Sequence, residues 1–549
     1  MKLPSGHGIL RDEEVAELQA TFPQGMVLED FTRFCDSLEV RLGQAYWQDR
    51  GGQAFVSREV PNDITNNGAQ ASRTAEILFR HCADCAQRGT LAEAIRIVEL
   101  GLGIGLFARL FLLRFRELCQ LDNRDFFARL TYYATDFAEH NLRDIERLGT
   151  LAEFGEQVRL GVVDAVQPER FQALGSETSE PWSAPIDAFL HNYLYDSLPH
   201  SLLLRRNGQW HELYTQSRLL EPWRVREFTG LGLDQLRERL QGGGSEAARV
   251  LVPLYSMTQV ETSFFPCDLD ELPFASHIAR FADSVLQPHI DRSLGEGRDV
   301  RMWVPWGAMT SFVKCAEYLA DDGLILFTDY GVTGPAEVVT AKTYQRYGAG
   351  ICINLNFPLV DAFIRERGFR LTVPDGDDQL RLHARLATRS ECTATHACFA
   401  ERLGAGDLLR LEALLERARE HADSDVAVAD ECYQEAHQLF PHNWRVLGEW
   451  AHFEYAFVHN RYPALDLLDQ AIALNPSCNA DLWCERGDIL GDLGRIGEAE
   501  DAYRRGVEID PEDARAYYGL ARLWADQSLY PQGLADHLEG LGVQTLIGP

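Results

Sequence analysis

Residues Ile97-Val98-Glu99-Leu100-Gly101-Leu102-Gly103-Ile104-Gly105 read as an apolar strand that ends in one acid and then turns through three glycines. Few local patterns constrain a fold as tightly. Glycine reaches backbone conformations closed to other residues, and without a side chain it lets a ligand approach the amides that open the next helix. Segment 95–115 is the most apolar of the chain, but Glu99, Arg109 and Arg114 interrupt it, so it predicts a buried strand running into a helix and no membrane span. The spacing is G-x-G-x-G, with Leu106 where a dinucleotide fingerprint needs its last glycine, which argues against NAD or FAD.

From 92 to 400 short strand-like runs alternate with helical stretches, the pattern of an open α/β sheet. The expected strands are 95–99, 131–135, 158–163, 186–191 and 324–328, with an insertion at 217–300 that includes Gly242-Gly243-Gly244-Ser245. Residues 1–90 predict a helical cap holding a polar loop, Val60 to Gly68, before a helix over 71–85. Strand signals stop near 405. Beyond it Pro441, Pro476 and Pro511 recur every 35 residues, a repeat signature. In the clearest unit, 480–513, Trp483, Gly487, Leu490, Gly494, Ala499, Tyr503, Gly506 and Pro511 fall where a tetratricopeptide helix pair places its packing residues. A second unit starts at Arg445, and a shortened one at Ala514 with Tyr517, Ala521 and Tyr530. The expected domains are therefore 1–90, 91–400 and 405–549.

Two further acids follow strand-like runs: Asp136 in Thr135-Asp136-Phe137 and Asp164 in Val163-Asp164-Ala165. Together with Glu99 they would lie at the carboxyl ends of adjacent strands, where open sheets bind ligands. Asp136 could accept from ribose hydroxyls and Asp164 from an adenine amino group. A helix cap or solvated turn is the competing account for any one of them alone.

With these residues in place, the chain resembles class I methyltransferases, and more narrowly the MidA group, over 40–375. Asp63-Ile64-Thr65 is similar to the family's amino-terminal Asp-x-Thr, and Asn192-Tyr193-Leu194-Tyr195-Asp196-Ser197-Leu198-Pro199 to its Asn-Glu-x-x-Asp-Ala-Leu-Pro. Asp329-Tyr330-Gly331 and Tyr344-Gln345-Arg346 match its later motifs. Tyr193 stands where the family has Glu, and Ile104 replaces a usually polar residue. The resemblance implies a Rossmann-like sheet and S-adenosylmethionine as cofactor, bound by Asp63, Thr65, Glu99, Gly101, Gly103, Gly105, Asp136 and Asp164. Asn192, Tyr193 and Asp196 would orient an amine or amide, with Asp196 as base.

The remaining composition narrows partners. A formal net charge of −31 opposes phosphate backbones, so no nucleic acid is expected and basic proteins or peptides fit better. The 12 cysteines follow no framework, the first residues lack an apolar leader, and a cytoplasmic protein is expected. Cys82-Ala83-Asp84-Cys85 lacks the two further ligands of a zinc site, and His277, His289 and His383 have no metal spacing. The expected activity is methyl transfer to a nitrogen of a protein or peptide docked partly on the repeats. The alternatives are small-molecule methylation with repeats used for assembly, which allows a homo-oligomer, and a non-catalytic cofactor-binding adaptor.

Overall fold

The computed structural model describes residues 12–60 and 66–526. Its centre is a twisted sheet of β1 (Ile95–Leu100), β2 (Leu130–Asp136), β3 (Val158–Val162), β4 (Ile186–Asn192), β5 (Leu319–Val332), β6 (Arg370–Thr372) and β7 (Leu382–Thr388). Their spatial order is β6-β7-β5-β4-β1-β2-β3. β1 to β5 run parallel, β7 is antiparallel to β5, and β6 is antiparallel to β7. The chain leaves β1 toward β2 and returns to the other side for β4, so the topological switch falls between β1 and β4. That crevice is where open sheets of this type bind ligands.

Side-chain alternation divides the core. Ile95 and Ile97 join one apolar cluster with α1 (Ala69–Arg88) and α2 (Leu106–Leu121), while Val98 and Leu100 join another against the helices Trp306–Tyr318 and Phe357–Glu366. Glu99 shares the face of Ile97, and this parity decides its surroundings. The five expected strands form, most of them a residue or two longer, and the expected helix over 71–85 is α1.

Three expectations need correction. The cap is not purely helical, because Met26–Arg33 is a strand that pairs with Gln209–Leu219 of the insertion. The insertion itself begins before 217: the hairpin Ser201–Arg206 and Gln209–Leu219, with Thr258–Pro266 and Val300–Val304, completes a second sheet of five strands. β7 was not expected as a strand, since His383 and Arg385 break its apolar run. Both are buried, and Arg385 is neutralised by Asp361 at 2.9 Å and Asp377 at 3.0 Å. The loop residues Asp63 and Thr65 lie outside the described residues, as does Tyr530. Among the described residues no helix is long and apolar enough to cross a membrane.

The tail comprises α3 (Ala405–His421), α4 (Val426–Leu439), α5 (Trp444–Ala456), α6 (Arg461–Leu474), α7 (Ala480–Asp492), α8 (Ile496–Ile509) and α9 (Ala514–Asp526). Small residues let these helices approach. A Cβ on Gly487 would lie 2.8 Å from the Tyr503 ring, and one on Gly506 3.2 Å from Cys484 Sγ. The array lies against the sheet domain: Trp444, Leu474 and Cys478 pack onto the same cluster as Ile97, Leu102 and Phe111.

Gly68, which caps α1 at φ +106°, marks how close that approach is, because a Cβ there would sit 2.0 Å from the His442 carbonyl oxygen. Gly68→Ala should lower stability by about 1–3 kcal/mol from backbone strain alone, before the clash with the tail is counted. Equilibrium denaturation of the full chain checks this, and an unchanged midpoint would contradict so tight a contact.

Candidate functional site

Gly101, Gly103 and Gly105 all have positive φ, at +76°, +58° and +73°. Gly101 and Gly105 are also tight for space, since a Cβ would lie 3.2 Å from Leu194 and 3.3 Å from Ile145, whereas at Gly103 it would make only ordinary contact with the Phe55 ring at 3.8 Å, so there the backbone conformation is what requires glycine. Phe55 is stacked on Trp47 at 5.2 Å, so the cap segment lies over the turn. The turn is anchored from below: Leu102 N–H donates to Thr135 O at 2.9 Å and Thr135 Oγ1 to Glu99 O at 2.6 Å.

Glu99 is 1% exposed. Tyr132 Oη donates to its Oε2 at 2.8 Å, and Asn192 Nδ2 approaches Oε1 at 3.5 Å. Burial pushes its carboxyl up to about 8, and the two hydrogen bonds offset only part of that rise. Asp136 is also raised by burial, although it accepts from Gly103 N–H at 3.1 Å, Ala138 N–H at 2.9 Å and Asn141 Nδ2 at 3.2 Å. Asn141 donates as well to Gly103 O, while its Oδ1 is buried and takes no donor among the described residues. The open acceptor on Asn141 and the side-chain-free face of Gly103 are features that an adenosyl group with hydroxyl and amine donors would fit. Asp164 is exposed two residues beyond β3, where its Oδ1 caps Val166 N–H at 2.8 Å.

Across the switch point, Asn192 ends β4 and accepts from Thr328 Oγ1 at 2.9 Å. Tyr193 follows in the left-handed region at φ +52°, and its ring stacks on Tyr330 at 5.1 Å with the hydroxyls 3.1 Å apart. Leu194 then touches Gly101, since a Cβ there would meet its Cδ1 at 3.2 Å. The motif therefore abuts the glycine turn. Asp196 is buried, accepts the Cys352 thiol at 2.9 Å on Oδ2, and donates its backbone N–H to Asp329 Oδ2 at 3.0 Å. Burial lifts Asp196 to about 6. Asp329, fully buried, is raised further, by burial first and then by the charge of Asp196.

All described residues expected at the site thus converge on the carboxyl ends of β1 to β4, with Asp164 at the rim. Sequence reasoning missed Asn141, Phe55 and Cys352 and gave Asp329 no role beyond its motif. Asn141 could have been suspected, standing five residues after Asp136 at the start of a helix, Glu139–Leu148. Cys82 and Cys85 are buried free thiols whose pKa values burial raises.

Glu99 carries a pH signature. Its folded-state pKa of about 8 lies above the ordinary 4.5, so its contribution to stability is greatest below 4.5 and is lost as pH rises toward 8. Glu99→Gln should remove that slope, leaving the variant more stable than the parent at pH 8 and similar at pH 4 in denaturant titrations. A second expectation is that Gly103→Val, with the sheet still folded, abolishes binding of the ligand that this turn serves, and that Asp136→Ala weakens it by about 1–3 kcal/mol. Calorimetry measures both.

Comparison with known proteins gives that ligand. Residues 78–351 match the family described as "Putative S-adenosyl-L-methionine-dependent methyltransferase", and residues 480–513 match the tetratricopeptide repeat. No curated protein matches the chain. Among solved structures, a Burkholderia thailandensis protein described as a "COG1565 superfamily member and likely methyl transferase" and bound to S-adenosyl-homocysteine is 15% identical. The match covers 69% of this chain and 92% of that one, with a TM-score of 0.39. A second structure from the same superfamily and organism is 14% identical over 70% of this chain and 94% of its own, with a TM-score of 0.38. The second tetratricopeptide domain of human RPAP3, in complex with an HSP70 peptide, is 20% identical over 22% of this chain and 98% of its own, with a TM-score of 0.20.

Proposed function

We propose that this chain, whose segment 78–351 belongs to the S-adenosylmethionine-dependent methyltransferase family, methylates a nitrogen of a protein or peptide that docks partly on its repeats. When bound, the cofactor supplies an electrophilic methyl on a sulfonium. Gly101, Gly103 and Gly105 leave room for it, Asp136 and Asn141 stand beside the turn to receive its donors, Glu99 braces the strand end, and Asp164 lies at the rim. By the family resemblance, Asp63 and Thr65 would add further contacts to the cofactor. Chemistry of this kind depends on alignment and exclusion of water more than on a nucleophilic side chain.

The observation that carries the reading is the buried pair Asp196–Asp329 beside the glycine turn. Two carboxyls so close do not both ionise readily, and the pair separates their roles. Asp329 stays protonated longer and holds the Asp196 backbone, while Asp196 ionises near neutrality and can take the proton that a nitrogen sheds as it gains the methyl. Asn192 and the Tyr193–Tyr330 stack form the adjoining wall, which orients the acceptor. Tyr193 in place of a carboxylate makes that wall aromatic and uncharged, and so suited to an amine or amide nitrogen.

A docking role for the tail finds support in the array itself. First helices of successive repeats face one another along one side, where His452 pairs with Glu485 at 2.6 Å and Arg515 with Asp488 at 3.0 Å. A basic partner would compete for those acids.

Incubation with methyl-labelled S-adenosylmethionine and host lysate, followed by mass spectrometry, tests the acceptor class. Label on protein nitrogen is expected, and label confined to small molecules would overturn it. Asp196→Asn should reduce kcat about 10²- to 10⁴-fold. Because Asp196 must be ionised to accept a proton, kcat/KM should fall tenfold per unit as pH drops below about 6 and level off above it. A flat profile through that range would remove Asp196 as the base.

A further inference from the structure

The turns that carry Pro441, Pro476 and Pro511 are three of the places at which the tail touches the rest of the chain, and the second and third reach the glycine turn and the Phe55 segment of the candidate cofactor site. At the first, His442 Nε2 pairs with Glu117 of α2 at 3.3 Å, its carbonyl oxygen lies over Gly68, and Trp444 Nε1 donates to Asn66 O. At the second, Ser477 Oγ is 2.7 Å from Thr150 Oγ1 in a buried contact, and the Cys478 thiol is directed at Ile104 O, within the glycine turn, at 3.6 Å. At the third, Asp510 Oδ1 accepts from Gln53 Nε2 at 2.9 Å, two residues before Phe55, and Arg505 donates to Leu148 O at 3.0 Å.

Arg109 links the middle turn to the cofactor helix. It lies in the first turn of α2, four residues after Gly105, and is 6% exposed. Its guanidinium donates to Leu474 O at 3.0 Å, Ala473 O at 2.8 Å and Thr150 O at 3.1 Å, and pairs with Glu153 at 2.6 Å. Ala473 and Leu474 are at the carboxyl end of α6, whose last carbonyls have no partner within the helix and whose dipole favours a cation. One buried side chain therefore caps a repeat helix and fixes the start of the helix that follows the glycine turn.

We infer that the repeat array is a structural wall of the cofactor site: Arg109 and the turns around Pro476 and Pro511 hold the glycine turn and the Phe55 segment in their binding positions, so cofactor affinity depends on contacts with the tail. The 35-residue period that spaces the helix pairs also spaces these turns, so a stack built for repeat packing delivers three contacts along one edge. A change in the stack, such as a partner seated on its other side, would reach the cofactor through the same contacts. Arg109 is a positioning residue in this arrangement and touches no reacting atom.

The inference rests on the reading that the glycine turn binds S-adenosylmethionine, and the test separates the two. Calorimetry with S-adenosyl-homocysteine is performed on the full chain carrying Arg109→Gln, Arg109→Lys, Gln53→Ala, Asp510→Ala and the Gln53/Asp510 double substitution, with Gly103→Val and Tyr462→Ser as references. Thermal unfolding confirms that each is folded. Arg109→Gln should raise Kd roughly 5- to 150-fold, the range over which coupled sites communicate, with partial rescue by Arg109→Lys. The Gln53 and Asp510 variants, at a half-buried contact, should each raise Kd, and the double variant no more than the larger single effect. In kinetics the loss should appear in the KM for S-adenosylmethionine more than in kcat. Tyr462, 72% exposed on α6, should be neutral. If Gly103→Val abolishes binding while the Arg109, Gln53 and Asp510 variants bind like the parent, the wall role is overturned and the site stands. If Gly103→Val binds normally, the site reading itself has failed.

Discussion

The hydrogen-bonded clasp around the left-handed glycine turn is the constraint on which the rest depends. Asp136 and Asn141 together hold Gly103 at both its N–H and its carbonyl, and Thr135 holds the turn to β2. A turn of glycines without such a clasp would sample many conformations, and ordering it would be charged against ligand binding. With the clasp in place, the turn is presented at the switch point between β1 and β4, and the Asn192–Asp196 segment comes to rest against it through Leu194.

Burial then sets the chemistry of the acids. Glu99, Asp136, Asp196 and Asp329 are all withdrawn from water, and each is raised above its own ordinary value by that withdrawal. They differ in how many donors offset it. Asp136 has three from the protein, and Asp196 has one thiol. Asp196, with one thiol donor and a value of about 6, suits proton transfer, whereas Asp136, held by three donors of the turn and its helix, is a structural clasp. The same residue type thus serves two purposes within one site.

The tail departs from the usual picture of a repeat array as an appended module. Its edge supplies apolar side chains to the sheet's own cluster, and two tail carbonyls share Arg109 with Thr150 and Glu153. A buried guanidinium stripped of those acceptors would be costly, so the two regions are bound together by a desolvated charge as well as by apolar area.

The sequence by itself determined the order of strands β1 to β5, the glycine turn with its three flanking acids, and the repeat period with Gly487 and Tyr503 in their packing places, because each is a local pattern of periodicity or turn chemistry. It also carried the family resemblance through short contiguous motifs. It did not show that Met26–Arg33 joins the insertion's sheet, since a lone strand's partner lies far along the chain. β7 was hidden because Arg385 and His383 look polar until Asp361 and Asp377 neutralise Arg385. Asp196 and Asp329, Thr150 and Ser477, and Arg109 and Leu474 are separated by 133, 327 and 365 residues. Only the tertiary structure decided these pairings, because desolvation and hydrogen bonding between distant residues exist only once the sheet, the cap and the tail have closed on one another.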